Sequence, residues 1–446
     1  MKAKLKNYFT ALFFGVIFGA ILFHNSMAQS INSIDSVNLM QSKRPTEILV
    51  ELKPKGDVKV LKVFTILKER IEHRCSNIVR ETSDRPQIIL SITDNLPLET
   101  YSITQIDKTV HISGGSWQGL LYGVGKFLRT SKYENGFIPS TWRGISSPQG
   151  TFRGMYFANH FHNWYYMSSD DELNRYTEDM ALWGINAIMT SYPLLNLTGW
   201  DDPEADLAME QTKKILRAAK NAGLATVMGC GNVLFNNTPE ELLATPLSDQ
   251  LGRHGNTGAM VCPSNPVGRD LILKTNVTLL QKFNDIGIDY LCMWPYDEGG
   301  CGCDQCSPWG ANGFIRISKD IAKAGREINP ELKMILSTWT FDTPEQGEWQ
   351  GLADSLAKDG NWADYIMADS HEDFPRYPLD EGVPGDLPLI NFPEISMWGN
   401  SPWGGYGAHP MPKRTQRLWN QVKHISKGGL AYSEGIYEDI SKVIIS

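Results

Sequence analysis

Residues 288–300 read IDYLCMWPYDEGG. A short apolar run ends in two adjacent carboxylates, Asp297 and Glu298, and then in glycines. An apolar run of this length, bounded by Pro and Gly, predicts a buried parallel strand. Barrel enzymes carry their catalytic groups at the carboxyl ends of such strands. Two neighbouring acids cannot both face a core. At least one enters a polar cavity, and crowding there drives their pKa values apart.

Working outward, strands alternate with helices from residue 151 to the end. The expected strands are 152–160, 185–193, 224–232, 288–298, 332–342, 363–372, 387–396 and 428–437. Amphipathic helices are expected at 205–222, 269–285, 314–328 and 413–427. Eight strands with helical crossovers predict an α/β fold, a (β/α)8 TIM barrel over 151–446. A doubly wound open sheet is the competing architecture, but no Gly-rich phosphate loop follows any strand. The sequence runs only a few residues past the eighth strand. The expected barrel is therefore truncated at its C-terminal end and lacks most of its last helix.

Upstream, 46–145 reads as a small α+β domain. It has strands at 48–53, 87–93, 99–106 and 109–115, a helix from 58 to 75, and a second helix that Ser116 caps. Residues 133–150, rich in Gly, Pro and Ser, read as the joint.

The first 28 residues read as a signal peptide. Lys2, Lys4 and Lys6 precede an apolar stretch at 9–23, and Ser26-Met27-Ala28 fits small-x-small cleavage. Fifteen or so apolar residues are few for a membrane span. Cleavage after Ala28 removes three lysines and no acid, taking the formal charge from −8 to −11. That charge argues against nucleic acid or anionic membranes as partners. The expected location is periplasmic or extracellular.

Acids recur at the carboxyl ends of the expected strands. Asp297 and Glu298 follow the fourth and Asp342 the fifth. Asp369, Glu372 and Asp373 follow the sixth, Glu394 the seventh, and Glu434 with Glu438 the eighth. Glycoside hydrolysis needs one carboxylic acid to protonate the leaving oxygen and one carboxylate to attack or to activate water. Surface acids are common at any barrel mouth, so the adjacent pair carries more weight than the rest. Trp294, Tyr296, Trp339, Trp398 and Trp403 fall at strand ends or in the following loops, where flat rings can stack on a sugar face. His160 and His162 end the first strand and suit hydrogen bonds to hydroxyls as well as purely structural roles.

Cys301, Cys303 and Cys306 form C-G-C-D-Q-C. With Cys262, from the loop after the third strand, they make a candidate structural zinc site. A disulfide or plain thiols fit the same spacing. No cofactor is required for the chemistry.

These features resemble known exo-glycosidases. The stretch TVHISGGSWQGLLYGVGKFLR looks like the domain that precedes the barrel in β-N-acetylhexosaminidases and α-glucuronidases. FRGMYFANHFHN, followed by YTEDMALWGINAI, is similar to the first barrel strand and helix of the hexosaminidases. The likeness covers about residues 46–300. It implies that Glu298 is the general acid and that Asp297 orients the substrate. The pair lies in P-Y-D-E-G-G-C rather than after His-x-Gly-Gly, and in this the chain looks more like the α-glucuronidases. On that pattern Asp369 and Glu394 match the bases by position.

The expected function is an exported, exo-acting glycoside hydrolase on a terminal sugar. The alternative is a catalytically degenerate, carbohydrate-binding barrel.

Overall fold

The computed structural model describes residues 46–246, 260–296, 299–342, 347–370, 373–395, 410–435 and 438–446. Six strands form the first sheet: β1 (Glu47–Lys53), β2 (Ile78–Glu81), β3 (Ile88–Ile92), β4 (Tyr101–Ile106), β5 (Thr109–Gly114) and β6 (Gly144–Ser146). Their order is β2-β1-β3-β5-β4-β6. Strand β6 lies within the stretch read as a joint. It is three residues long and carries no strong strand pattern, yet it pairs antiparallel with β4.

Two helices cover this sheet. Asp57 starts α1 (Val58–Arg74) by accepting from the Lys59 and Val60 amides at 2.8 and 2.9 Å. Ser116 starts α2 (Trp117–Thr130) by accepting from Gly119 at 3.2 Å. Both are N-caps that satisfy amides with no partner inside the helix. Helix α2 is buried on nearly every side, since it lies between the sheet and the barrel. Where it meets the barrel stands Gly125. A Cβ there would lie 2.0 Å from the Leu182 carbonyl oxygen, so only glycine permits the approach.

The barrel strands are β7 (Phe152–Phe157), β8 (Ala187–Ser191), β9 (Ala225–Cys230), β10 (Tyr290–Met293), β11 (Lys333–Ser337), β12 (Tyr365–Asp369), β13 (Leu389–Phe392) and β14 (Ser426–Ser433). All pair in parallel and close on themselves as the expected TIM barrel. The outer helices include α3 (Asp170–Trp183), α4 (Ala205–Asn221), α5 (Pro266–Lys282), α6 (Gly313–Ile328), α7 (Glu348–Asp359), α8 (Pro412–Val422) and α9 (Asp439–Ile445). A reciprocal Ser169–Glu172 capping box opens α3, and Gly184 at φ 105° closes it. Arg70 of α1 reaches α3, bonding Asp179 at 3.1 Å and Glu178 at 3.2 Å. Among the described residues no helix is long and apolar enough to cross a membrane.

Inside the barrel, alternate residues of each strand stack in layers. Phe152, Tyr290 and Tyr365 meet near the strand starts, with ring centroids 5.4–6.1 Å apart. Met189, Val227, Cys292, Ile335, Met367, Ile390 and Leu430 fill the middle.

Candidate active site

At the carboxyl ends of the strands the next inward layer is aromatic. Trp294 and Trp339 stack at 5.9 Å and 29°. Phe392 meets them edge-on at 5.2 and 5.7 Å. Tyr432 follows at 5.9 Å from Phe392, and Tyr156 at 5.3 Å from Tyr432. The five rings make a continuous floor. Trp294, Trp339 and Tyr432 remain partly exposed on it.

Strand alternation places acids directly above this floor. On β12 the inward positions are Tyr365 and Met367, so Asp369 shares their face. On β13 they are Ile390 and Phe392, and the next residue of that parity is Glu394. On β14 they are Leu430 and Tyr432, and the next is Glu434. Three neighbouring strands thus each bring a carboxylate to one side of the mouth. Glu394 also bridges in parallel to Tyr432, which ties the β13 and β14 ends together. All three acids are partly exposed.

Glu434 is the most perturbed of them. Burial raises its pKa to about 7. The Tyr432 hydroxyl, donating to Oε1 at 2.6 Å, works against that rise, while the charges of Glu438 and Glu394 add to it. The turn that holds it is packed from below. Asn163 Nδ2 donates to the Glu434 carbonyl at 2.5 Å, and Tyr165 OH donates to the Gly435 carbonyl at 2.9 Å. Lys442 of α9, fully buried among Tyr165, Tyr176 and Glu438, donates to the same Gly435 carbonyl. Glu434 stands among the acids at the eighth strand end but was not among the expected site residues. The signal that finds it is the Leu430–Tyr432–Glu434 alternation.

The remaining expected residues fall in different places. His160 lies near the floor, 6.3 Å from Tyr156, and its pKa falls to about 4 through burial and, less, through His162. It is neutral near pH 7, suited to hydrogen bonding rather than to carrying charge. His162 stands exposed in a left-handed conformation, edge-on to Tyr166 at 4.8 Å. Tyr296 is a correction. It is fully buried, and its hydroxyl donates to the buried Glu348 of α7. Strand β10 ends at Met293, so alternation no longer applies three residues on, and the ring turns into the core rather than toward a substrate. Asp297, Glu298, Trp398 and Trp403 lie outside the described residues.

Cys262, Cys301, Cys303 and Cys306 meet, with their sulfur atoms all within 4.8 Å of one another. They sit where the loops that follow β9 and β10 meet. Hydrogen bonds from Cys301 and Cys306 hold the Cys262 thiol well below its usual range, and the bond to Cys262 raises Cys301 to about 11.

The architecture is that of a TIM barrel preceded by a small α+β domain. Three solved structures illustrate the similarity. A GH138 enzyme targeting pectin rhamnogalacturonan II superposes with a TM-score of 0.57 at 13% identity, over 88% of this chain and 59% of that one. The β-N-acetylhexosaminidase from Bacteroides fragilis NCTC 9343 gives 0.57 at 13% identity, over 90% and 86%. A family GH115 4-O-methyl-α-glucuronidase with specificity for decorated arabinogalactans gives 0.62 at 12% identity, over 90% and 56%. The chain thus spans under two thirds of the length of the first and third. No protein-family model matches the sequence, and no curated protein matches it.

Proposed function

We propose that this protein is an exported glycoside hydrolase acting from the end of a glycan, on a sugar of the kind taken by hexosaminidases or α-glucuronidases. The observation that carries the reading is the set of three inward carboxylates, Asp369, Glu394 and Glu434, over a floor of five aromatic rings. Carboxylates above flat apolar faces match what sugar binding and glycosidic cleavage require.

In this reading Glu298 protonates the leaving oxygen and Asp297 orients the substrate, as their place after the fourth barrel strand suggests. Asp369 or Glu394 acts as base, nucleophile or orienting carboxylate. A separation from the acid of roughly 5 Å implies retention, and one of roughly 6.5–9.5 Å implies inversion. Glu434, whose pKa is about 7, keeps its proton through much of the neutral range and donates it as a hydrogen bond to a sugar oxygen. Trp294 and Trp339 carry the apolar face of the ring. Export follows from the leader-like first 28 residues.

The test is hydrolysis of a panel of nitrophenyl glycosides by the purified protein, including N-acetylhexosaminides and glucuronides. Cleavage of at least one supports the reading. Binding of sugars without cleavage of any would favour the carbohydrate-binding barrel instead.

A further inference from the structure

We propose that Cys262, Cys301, Cys303 and Cys306 hold a structural zinc ion. A tetrahedral site with Zn–S of about 2.3 Å has S···S edges of about 3.8 Å. Cys262 Sγ and Cys303 Sγ lie 3.8 Å apart, and no pair among the four exceeds 4.8 Å. A disulfide requires about 2.05 Å between one pair and leaves the other two sulfurs out. Here the four converge on one point, and all seven cysteines of the chain are free.

The surroundings suit thiolates. The Asn265 amide donates to the Cys262 carbonyl at 3.3 Å and the Cys306 amide to the Cys303 carbonyl at 2.9 Å, so tight turns hold these cysteines in place. The Ser264 hydroxyl lies 3.0 Å from Cys306 Sγ, and Arg316 Nη2 lies 4.0 Å from it. Four thiolates around Zn²⁺ leave a net charge of −2, which the guanidinium partly offsets. Such outer groups fix the ligands and tune the site.

The site's place in the fold says what the metal does. Cys262 belongs to the loop after β9, and the other three to the loop after β10. Asn232 sews the same two loops together by bonding the Val261 and Gly300 carbonyls at 3.0 and 3.1 Å and accepting from Gly300 at 3.2 Å. The Gly302 amide adds a bond to Thr245 at 2.8 Å. The metal ties one end of the segment 296–301, and the Tyr296–Glu348 bond ties the other. Asp297 and Glu298 lie between these two anchors in sequence. That last consequence rests on their proposed catalytic role. The zinc site itself does not.

The test uses the full chain, purified without added thiol or chelator. Metal content is measured by plasma mass spectrometry, and alkylation of cysteines is followed before and after a zinc chelator. The site predicts one zinc per chain and four cysteines that become reactive on chelation with no reductant present. Cys303→Ser/Cys306→Ser is expected to lose the metal, and Cys75→Ser to keep it. If the double variant fails to fold, the wild-type metal content and chelator response still decide. Metal-free protein whose four cysteines react at once would overturn the proposal. So would protection that only a reductant relieves, which marks disulfides. Loss of zinc with glycosidase activity intact would leave the site standing and remove only its link to residues 297 and 298.

Discussion

The Tyr432 hydroxyl donates a 2.6 Å hydrogen bond to Glu434, two residues further along the same strand end. Phenol and carboxyl lie on one face of β14, because residues two apart in a strand point the same way. The aromatic floor and the acidic layer are therefore joined by covalent geometry as well as by packing.

Glu434 gives a pH dependence of known sign. Its pKa moves from 4.5 to about 7 on folding. Between these values the folded chain holds a proton that the unfolded chain releases, so stability falls as pH rises through that window. With the side chain partly open to water, the effect is on the order of 1–2 kcal/mol. Urea midpoints measured across the window should decline in the wild type and decline less in Glu434→Gln. Identical slopes in the two proteins would contradict the shift.

Trp339 stacks on Trp294 and is partly exposed at the mouth. If it carries a sugar face, Trp339→Ala raises KM about tenfold, equivalent to roughly 1.4 kcal/mol of binding, and changes kcat less. A KM unchanged on every hydrolysed glycoside would remove the ring from the substrate site.

Glu348 is buried and accepts hydrogen bonds from the Tyr296 hydroxyl and the Gly310 amide. Glu348→Ala withdraws that acceptor inside the core. Each polar group left without a partner costs roughly 1–3 kcal/mol, so a loss of about 2–4 kcal/mol is expected in chemical denaturation. A loss below about 0.5 kcal/mol, the scale of an ordinary surface change, would show that the network bears little of the loop's stability.

Gly125→Val tests how the small domain seats on the barrel. The added Cβ would sit 2.0 Å from the Leu182 carbonyl oxygen, a backbone atom that cannot swing aside. Separating α2 from α3 should cost about 1–3 kcal/mol. An unchanged melting curve would mean that the two helices have room to part.

The barrel was legible because its signal is repeated. Eight apolar runs with helical spacing between them leave few other architectures, and each observed strand falls within or beside its expected run. Their ends were less legible. Residues 288–298 read as one strand, but β10 stops at Met293, and Pro295 turns the chain so that Tyr296 enters the core. No pattern in the sequence specifies Glu348, some fifty residues away, as its partner. Strand β6 was hidden for another reason, since Gly144–Ser146 has little β propensity and owes its state to pairing with β4. Among the site residues, Asp369 and Glu394 follow from strand parity. The perturbation of Glu434 depends on burial that only the packed turn beneath it creates. The meeting of Cys262 with the C-G-C-D-Q-C cysteines was legible, because consecutive loops at the top of a barrel are neighbours.

The most direct measurement is the kcat of Glu298→Gln against wild type on paired glycosides, one with a poor leaving group and one with an activated aryl group. A general acid matters only where the departing oxygen needs a proton. A loss of roughly 10²–10⁴-fold is therefore expected on the poor leaving group, and a much smaller loss on the activated one. Equal losses on both substrates would contradict the assignment of proton donation to this residue.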